Sequence, residues 1–300
     1  MIPNFPEFKS IEISDRALVE SFTREFPPYS DFDFTTLWVW DLDERGGLSQ
    51  LNNNLIIRFF DCISSSYSYS FIGSSKIDET IETIFKYFKE NGIATSLRVV
   101  PEFIPSWYTK DFSKIRVEED PANFDYVYSI DNLIAYSGKD YATARNLMNR
   151  FLQRHEKNKI VYVDITDEKN QKLILDLIER WKSNKDFQLD IEDRALSRFF
   201  QGVKNFKALT LLLYVDDKIV GFSISEGVGK GYAITHFAKG DINYAGVYSY
   251  LMWATANMLS LKRYKFLNYE EDLGIPALRH AKAAYAPVLF LKKCSIDSFD

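Results

Sequence analysis

The chain has 300 residues, 46% hydrophobic and 16% aromatic, with only 13 Gly and 9 Pro. That is enough apolar material for one large domain or two of ordinary size, and it excludes a long disordered tract. A net charge of −5 argues against a dedicated nucleic-acid binder, and no apolar run approaches the roughly 18–20 residues needed to cross a bilayer.

Helix and strand signals alternate along the chain, which predicts a mixed α/β fold. Asp15–Phe26 reads as a helix, with Ala17, Leu18, Phe22 and Phe26 at helical spacing and Pro27-Pro28 as its stop. Phe34–Trp40 fits helix or strand. Leu55–Cys62 and Ser66–Ile72 read as an antiparallel hairpin. Ile77–Asn91 is a helix with Ile81, Ile84, Phe85 and Phe88 on one face, and Leu97–Val100, Ile115–Val117 and Tyr126–Ser129 are short strands.

The second half repeats this grammar. Helices are expected over Tyr141–His155, Gln171–Ser183, Ala195–Phe206, Val247–Leu259 and Ile275–Lys282. Strands are expected over Ile160–Asp164, Leu209–Val215, Ile219–Glu226, Tyr232–Phe237, Phe266–Asn268 and Val288–Lys292. A hairpin, a strand, a helix and a further strand is the layout of acetyltransferase-type folds, so two tandem domains are expected, 1–133 and 134–300.

Charge is distributed unevenly. Glu12–Glu44 carries nine acids against two Arg, whereas Lys139–Lys159 carries six Lys/Arg against two acids. Lys262–Lys293 carries seven Lys/Arg against three acids. These basic segments are either solvated faces or parts of an anion site.

The common strong motifs are missing: no phosphate loop, no GxSxG elbow, no HExxH and no paired-Cys spacing, so no metal is expected. Cys62 and Cys294 stand far apart and are expected to be inert in a reducing compartment. The opening MIPNFPEFKS has no basic start followed by an apolar stretch, so a secretory leader is not expected.

The densest polar cluster is NYEEDLG, Asn268–Gly274, where Glu270, Glu271 and Asp272 follow a strand and precede a short helix. Carboxylates there either stabilise the helix start or hold an ammonium or accept a proton. Arg279 and Lys282, three apart on the next helix, either clamp a phosphate or pair with those acids. Of the three histidines, His236 at a strand end is the candidate for chemistry.

The stretches FDYVYS, SGKDYATARNLMNRF, GFSISE, THFAKGDINYAGVYSYL and NYEEDLGIPALRHAKAAYAP follow one another in order between Phe124 and Pro287. With PPYSDFDFTTLWVW, Pro27–Trp40, they resemble the C-terminal domain of phosphatidylglycerol lysyltransferases and its stand-alone bacterial relatives. The resemblance covers about Phe22 to Lys293. It implies two tandem acetyltransferase-like (GNAT-like) domains and transfer of an aminoacyl group from aminoacyl-tRNA to phosphatidylglycerol or another hydroxyl or amine acceptor.

Within these stretches the catalytic candidates are Glu271, Asp272 and His236. The substrate-binding candidates are Arg145, Asn146, Glu226, Tyr244, Asn268, Arg279 and Lys282. Ala144, Tyr269 and Ala284 stand where that family usually has Lys, Arg and Ser. No tightly bound cofactor is expected, only a donor, aminoacyl-tRNA or acyl-coenzyme A.

The expected partners are tRNA and anionic lipid, at the cytoplasmic face of the membrane. The alternatives are an acyl-coenzyme A-dependent N-acyltransferase and a binding protein that kept the fold without catalysis. The first of these would need a Gly-rich pyrophosphate loop where this chain has DINYAGVY, with only Gly246.

Overall fold

A computed structural model describes residues 1–110, 112–182 and 188–299. Two compact units are formed, one by Met1–Asp125 with Leu291–Asp300 and the other by Tyr126–Phe290.

The first unit opens with α1 (Arg16–Thr23) and α2 (Phe34–Trp40). The side chain of Asp33 accepts the Thr36 N–H at 3.1 Å, an N-cap that makes the ambiguous 34–40 segment a helix. An antiparallel ribbon follows: β1 (Gly47–Leu51), β2 (Asn54–Asp61) and β3 (Ser66–Ile72). Next come α3 (Ile77–Glu90), β4 (Ser96–Pro101), α4 (Phe103–Ser106) and β5 (Ile115–Glu119). The expected apolar face of α3 is the one it buries: Ile81, Ile84, Phe85 and Phe88 pack with Ile56, Phe71 and Leu97.

Two strands of this unit have no counterpart among the sequence expectations, β1 and a strand near the C-terminus. Lys293–Ser298 pairs antiparallel with both β4 and β5, and Cys294 and Ile296 enter the core of the unit. Polar residues alternate with these two, so the local apolar signal is weak. Burial pushes the Cys294 thiol up to about 12, which makes it a poor nucleophile.

Lys293 is fully buried. Its Nζ donates to Asp125 Oδ1 at 2.7 Å and to Ser30 Oγ at 3.3 Å, and it pairs with Asp31. Asp125 in turn accepts the Ser30 N–H at 2.7 Å and the Ser30 hydroxyl at 2.6 Å.

The second unit contains β6 (Asp125–Ser129), α5 (Ile130–Ala135), α6 (Ala142–Arg154), β7 (Asn158–Val163), α7 (Glu168–Lys182) and α8 (Gln188–Gly202). The expected end of α7, Ser183, lies outside the described residues. Then follow β8 (Ala208–Val215), β9 (Lys218–Gly229), β10 (Tyr232–Gly240), α9 (Val247–Leu261), β11 (Phe266–Asn268), α10 (Pro276–Ala283) and β12 (Leu289–Leu291). The strands form one sheet in the order β12-β6-β11-β10-β9-β8-β7.

The run Leu211-Leu212-Leu213 is buried throughout, as expected for a strand covered on both faces. Leu211 and Leu213 share a core with Val247, Leu251 and Ala254 of α9 and Phe151 of α6. α9 carries no charged residue and buries ten of its side chains, so it is a core helix rather than an amphipathic one.

Both units use the same element order, three antiparallel strands, a helix and a strand: β1-β2-β3-α3-β4 and β8-β9-β10-α9-β11. This is the tandem acetyltransferase-like layout, and the fold is mixed α/β. β4 and β11 then each pair antiparallel with a strand from elsewhere in the sequence, Lys293–Ser298 and β6 respectively.

Gly246 sets the approach of α6 to α9. It has φ 90°, and a Cβ there would lie 2.0 Å from the Leu147 carbonyl oxygen. Gly246→Ala is therefore expected to cost about 2–3 kcal/mol through left-handed strain and overpacking. Urea unfolding of the variant would show this as a lower midpoint with an unchanged slope.

Candidate functional site

β10 and β11 run parallel, but their ladder covers only Tyr232–Ile234 and Phe266–Asn268. Beyond Ile234, β10 continues against β9 to Gly240, while the chain after Asn268 turns away. Parallel strands that part at their carboxyl ends mark where open α/β sheets take ligands. The register between β9 and β10 also shifts here, between Thr235 and Phe237, so His236 sits on the irregularity. Such bulges re-aim a side chain. A buried hydrogen bond of 2.8 Å between the Ser225 and Thr235 hydroxyls ties β9 to β10 just before it.

Three side chains meet at this point. The buried His236 places Nε2 3.8 Å from Glu226 Oε2 and Nδ1 3.6 Å from Glu270 Oε1. These are ion-pair distances rather than hydrogen bonds. Glu226 is anchored, because its Oε1 accepts the Lys207 N–H at 3.0 Å.

Glu270 is placed by backbone geometry. Asn268, fully buried at the end of β11, accepts the Glu270 N–H on its side-chain oxygen at 2.8 Å. Glu270 itself adopts φ 57°, a left-handed conformation that is strained for a non-glycine residue. Tyr126 holds the turn from β6, donating its N–H to the Glu270 carbonyl and accepting the Tyr269 N–H. Burial raises the Glu270 carboxyl to about 6, with the adjacent His236 opposing the rise. The result is a carboxylate more basic than usual, held at a strand end beside an imidazole.

The neighbouring acids fare differently. Asp272 is fully buried; Arg279 donates to its two oxygens at 2.7 and 2.9 Å, and Tyr126 Oη donates at 2.6 Å. Burial alone would raise its pKa, but the bonds from Arg279 and Tyr126 outweigh that and bring it to about 2. A carboxylate so strongly paired is a poor base, so Asp272, expected as a catalytic residue, fastens the loop instead. Glu271 is half-buried and offers its carbonyl to Lys282.

The expected anion clamp is likewise engaged. Lys282 donates to the carbonyls of Tyr269 and Glu271, both at 2.5 Å, and lies over the Tyr126 and Tyr269 rings. Arg145 donates to the carbonyls of Tyr136 and Gly138, satisfying the end of α5. Arg145, Arg279 and Lys282 thus hold backbone and carboxylate groups of the unit itself. Asn146 is exposed on α6, and the Tyr244 ring lies against His155 at 5.0 Å.

Of the residues singled out from sequence, the fold brings Glu226, His236 and Asn268 together with Glu270. The sequence places Glu270 in the cluster of three acids, but the catalytic candidates chosen from it are Glu271 and Asp272, because three consecutive acids share one local signature. Only the place of Glu270, two residues beyond the strand end, distinguishes it. Among the described residues no group of His, Cys, Asp and Glu is arranged to hold a metal ion, and no helix is long and apolar enough to cross a membrane.

Comparison with known proteins gives the same picture of the fold. An uncharacterised protein of Mycoplasmoides gallisepticum is 24% identical over 192 residues, covering 62% of this chain and 59% of that protein. The chain therefore spans less than two thirds of that relative's length. A crystal structure of a conserved protein of unknown function from Bacteroides thetaiotaomicron superposes with a TM-score of 0.83 at 22% identity, over 99% of this chain and 100% of the other. L-PGS from Bacillus licheniformis superposes with a TM-score of 0.64 at 13% identity, over 99% and 94%.

At such identities these structures speak for the fold. The family is carried by sequence, since the model described as "Phosphatidylglycerol lysyltransferase, C-terminal" matches residues 24–295. That span takes in the whole second unit, most of the first and every residue of the Glu226, His236 and Glu270 cluster, and the chain belongs to the phosphatidylglycerol lysyltransferase C-terminal family.

Proposed function

We propose that the protein transfers an aminoacyl group from aminoacyl-tRNA to the hydroxyl or amine of an acceptor, with phosphatidylglycerol as the acceptor to test first. Family and fold make it acyl- or aminoacyltransferase-like. The observation that supports a reaction is the raised carboxyl of Glu270 beside His236, where β10 and β11 part. The acceptor oxygen or nitrogen attacks the ester carbonyl and passes its proton to Glu270. The bond to the terminal ribose oxygen then breaks, and that oxygen takes up the proton. A base with a pKa near the working pH is suited to this step. Glu226 and Asn268 serve as positioning residues, the first beside His236 and the second through the Glu270 N–H.

Coenzyme A as donor is the second reading, and the packing at Gly246 weighs against it. A pyrophosphate cradle at the start of α9 needs open backbone N–H groups, whereas Gly246 is packed against the Leu147 carbonyl of α6.

The test is to supply radiolabelled aminoacyl-tRNAs or acetyl-coenzyme A to the purified protein with phosphatidylglycerol or a soluble amine. Label moving from tRNA to an acceptor is the expected outcome. Transfer from acetyl-coenzyme A alone would replace this reading with the second one. No transfer from either donor would leave a binding protein built on a transferase fold.

A further inference from the structure

The β1-β2-β3 ribbon of the first unit turns one face toward α3, and its pairing register sets out rows of side chains on that face. Ile56 and Phe71 form a row buried with α3. Gly47, Arg58 and Tyr69 form the next, beneath Phe8. Phe60 and Tyr67 form the last, beside Arg45, which stands two residues before Gly47. This last row opens to solvent: Arg45 is exposed and Tyr67 is 42% exposed.

Two guanidinium groups lie here against one ring. Arg45 stands 3.9 Å from the Phe60 centroid and 5.3 Å from that of Tyr67. Arg58 stands 5.0 Å from the Tyr67 centroid and 4.8 Å from that of Phe8. Ring contact stabilises each cation, but among the described residues neither has a carboxylate partner. Arg45 Nε donates to the Tyr67 hydroxyl at 3.2 Å, which leaves that hydroxyl its own proton to donate. Arg58 Nε is closed off from solvent and has no hydrogen-bond partner. A charged donor buried in this way costs free energy until an acceptor reaches it. Gly47 makes room for the arrangement, since a Cβ there would lie 3.1 Å from Phe8 Cβ and 3.3 Å from Arg58 Nη2.

Acids border the patch. Glu7, Asp43 and Glu44 are exposed in the adjoining segments and form no ion pair with either arginine. Asp61 follows Phe60, so its side chain starts on the opposite face, where it accepts the Ile63 N–H and the Ser64 hydroxyl.

We propose that Arg45, Arg58 and the Tyr67 hydroxyl form a binding site for a small oxyanion, a carboxylate or a phosphate. A guanidinium fork matches two oxygens of either group. Rings already hold both arginines, so ordering them on binding costs less than ordering free surface side chains. The exposed acids at the rim act through solvent and keep the affinity modest, with Kd about 1 mM. The site lies in the first unit and its test uses no acyl donor, so it stands or falls independently of acyl transfer.

The experiment is calorimetric titration of the full chain with inorganic phosphate and, separately, with acetate, each at ionic strength held constant with chloride. Saturable binding of at least one anion is expected. Phosphate alone would assign the site to phosphoryl compounds, and acetate alone to carboxylic acids. Arg45→Gln and Arg58→Gln should each weaken binding about tenfold or more, the loss of one charge-assisted contact. Arg58→Lys keeps the charge without the fork and should weaken it about fivefold. Arg116→Gln, on the exposed strand β5, should leave it unchanged. If Arg58→Gln is unfolded by circular dichroism, Arg45→Gln gives the same reading from an exposed position.

No saturable binding of either anion would overturn the proposal. Equal weakening by Arg45→Gln and Arg116→Gln would overturn it as well, since that result describes diffuse attraction to positive charge rather than a formed site.

Discussion

Glu270→Gln is expected to lower the rate of acyl transfer by about 10²–10⁴ with little change in KM, because the substitution keeps the shape and removes the base. In the parent protein the rate should rise as pH passes about 6, where the carboxyl loses its proton, and this inflection should vanish in the variant. Asp272→Asn provides the contrast. Asp272 titrates near 2, held there against burial by the bonds from Arg279 and Tyr126, so it contributes no inflection near neutrality. An unchanged rate in Glu270→Gln would remove this residue from the mechanism.

A second readout of the same variant needs no substrate. The folded pKa of Glu270 lies above its ordinary 4.5, so the folded state holds this proton more tightly than the unfolded one. The stability tied to that proton is complete below pH 4.5 and is lost as pH rises through about 6. A shift of this size corresponds to about 2 kcal/mol. Urea unfolding at pH 4.5 and pH 7.5 should show the parent losing this amount relative to Glu270→Gln. A difference that does not vary with pH would mean that Glu270 is solvated.

Lys293→Met is expected to destabilise the first unit by about 3–5 kcal/mol, a large share of the roughly 5–15 kcal/mol that holds a domain folded. The methionine fills most of the volume, so the loss is electrostatic. Asp125 is fully buried and Asp31 mostly so, and the substitution removes the ammonium that both carboxylates meet. Ser30 still donates to Asp125, which softens the cost without supplying charge. Thermal denaturation should show a drop of roughly 10 °C. The double variant Lys293→Met/Asp125→Asn should recover part of it, since one buried charge is then removed. A drop below about 1 kcal/mol would mean that water reaches the carboxylates.

Much of the architecture is carried by local pattern. Ile81, Ile84, Phe85 and Phe88 announce one face of a helix because burial repeats with the helical period, and α3 buries that face. The runs at β2, β3, β8 and β9 and the grammar of three strands, a helix and a strand are equally local. So is the family, whose last motif block is a continuous stretch. These features depend on residues a few positions apart, and sequence shows such neighbours directly.

What the tertiary structure alone decided is the fate of each charge. Glu270, Glu271 and Asp272 look alike in sequence, yet Asp272 meets Arg279 and Tyr126 while Glu270 meets His236. Lys282 and Lys265 belong to one basic segment, yet one is buried under tyrosine rings and the other lies exposed. Lys293 finds Asp125 168 positions away, through a strand with no strong apolar period of its own. The worth of a charged group is set by its desolvation and by the partner it meets. Both are fixed by strand pairings between distant segments, and residue order along the chain does not contain them.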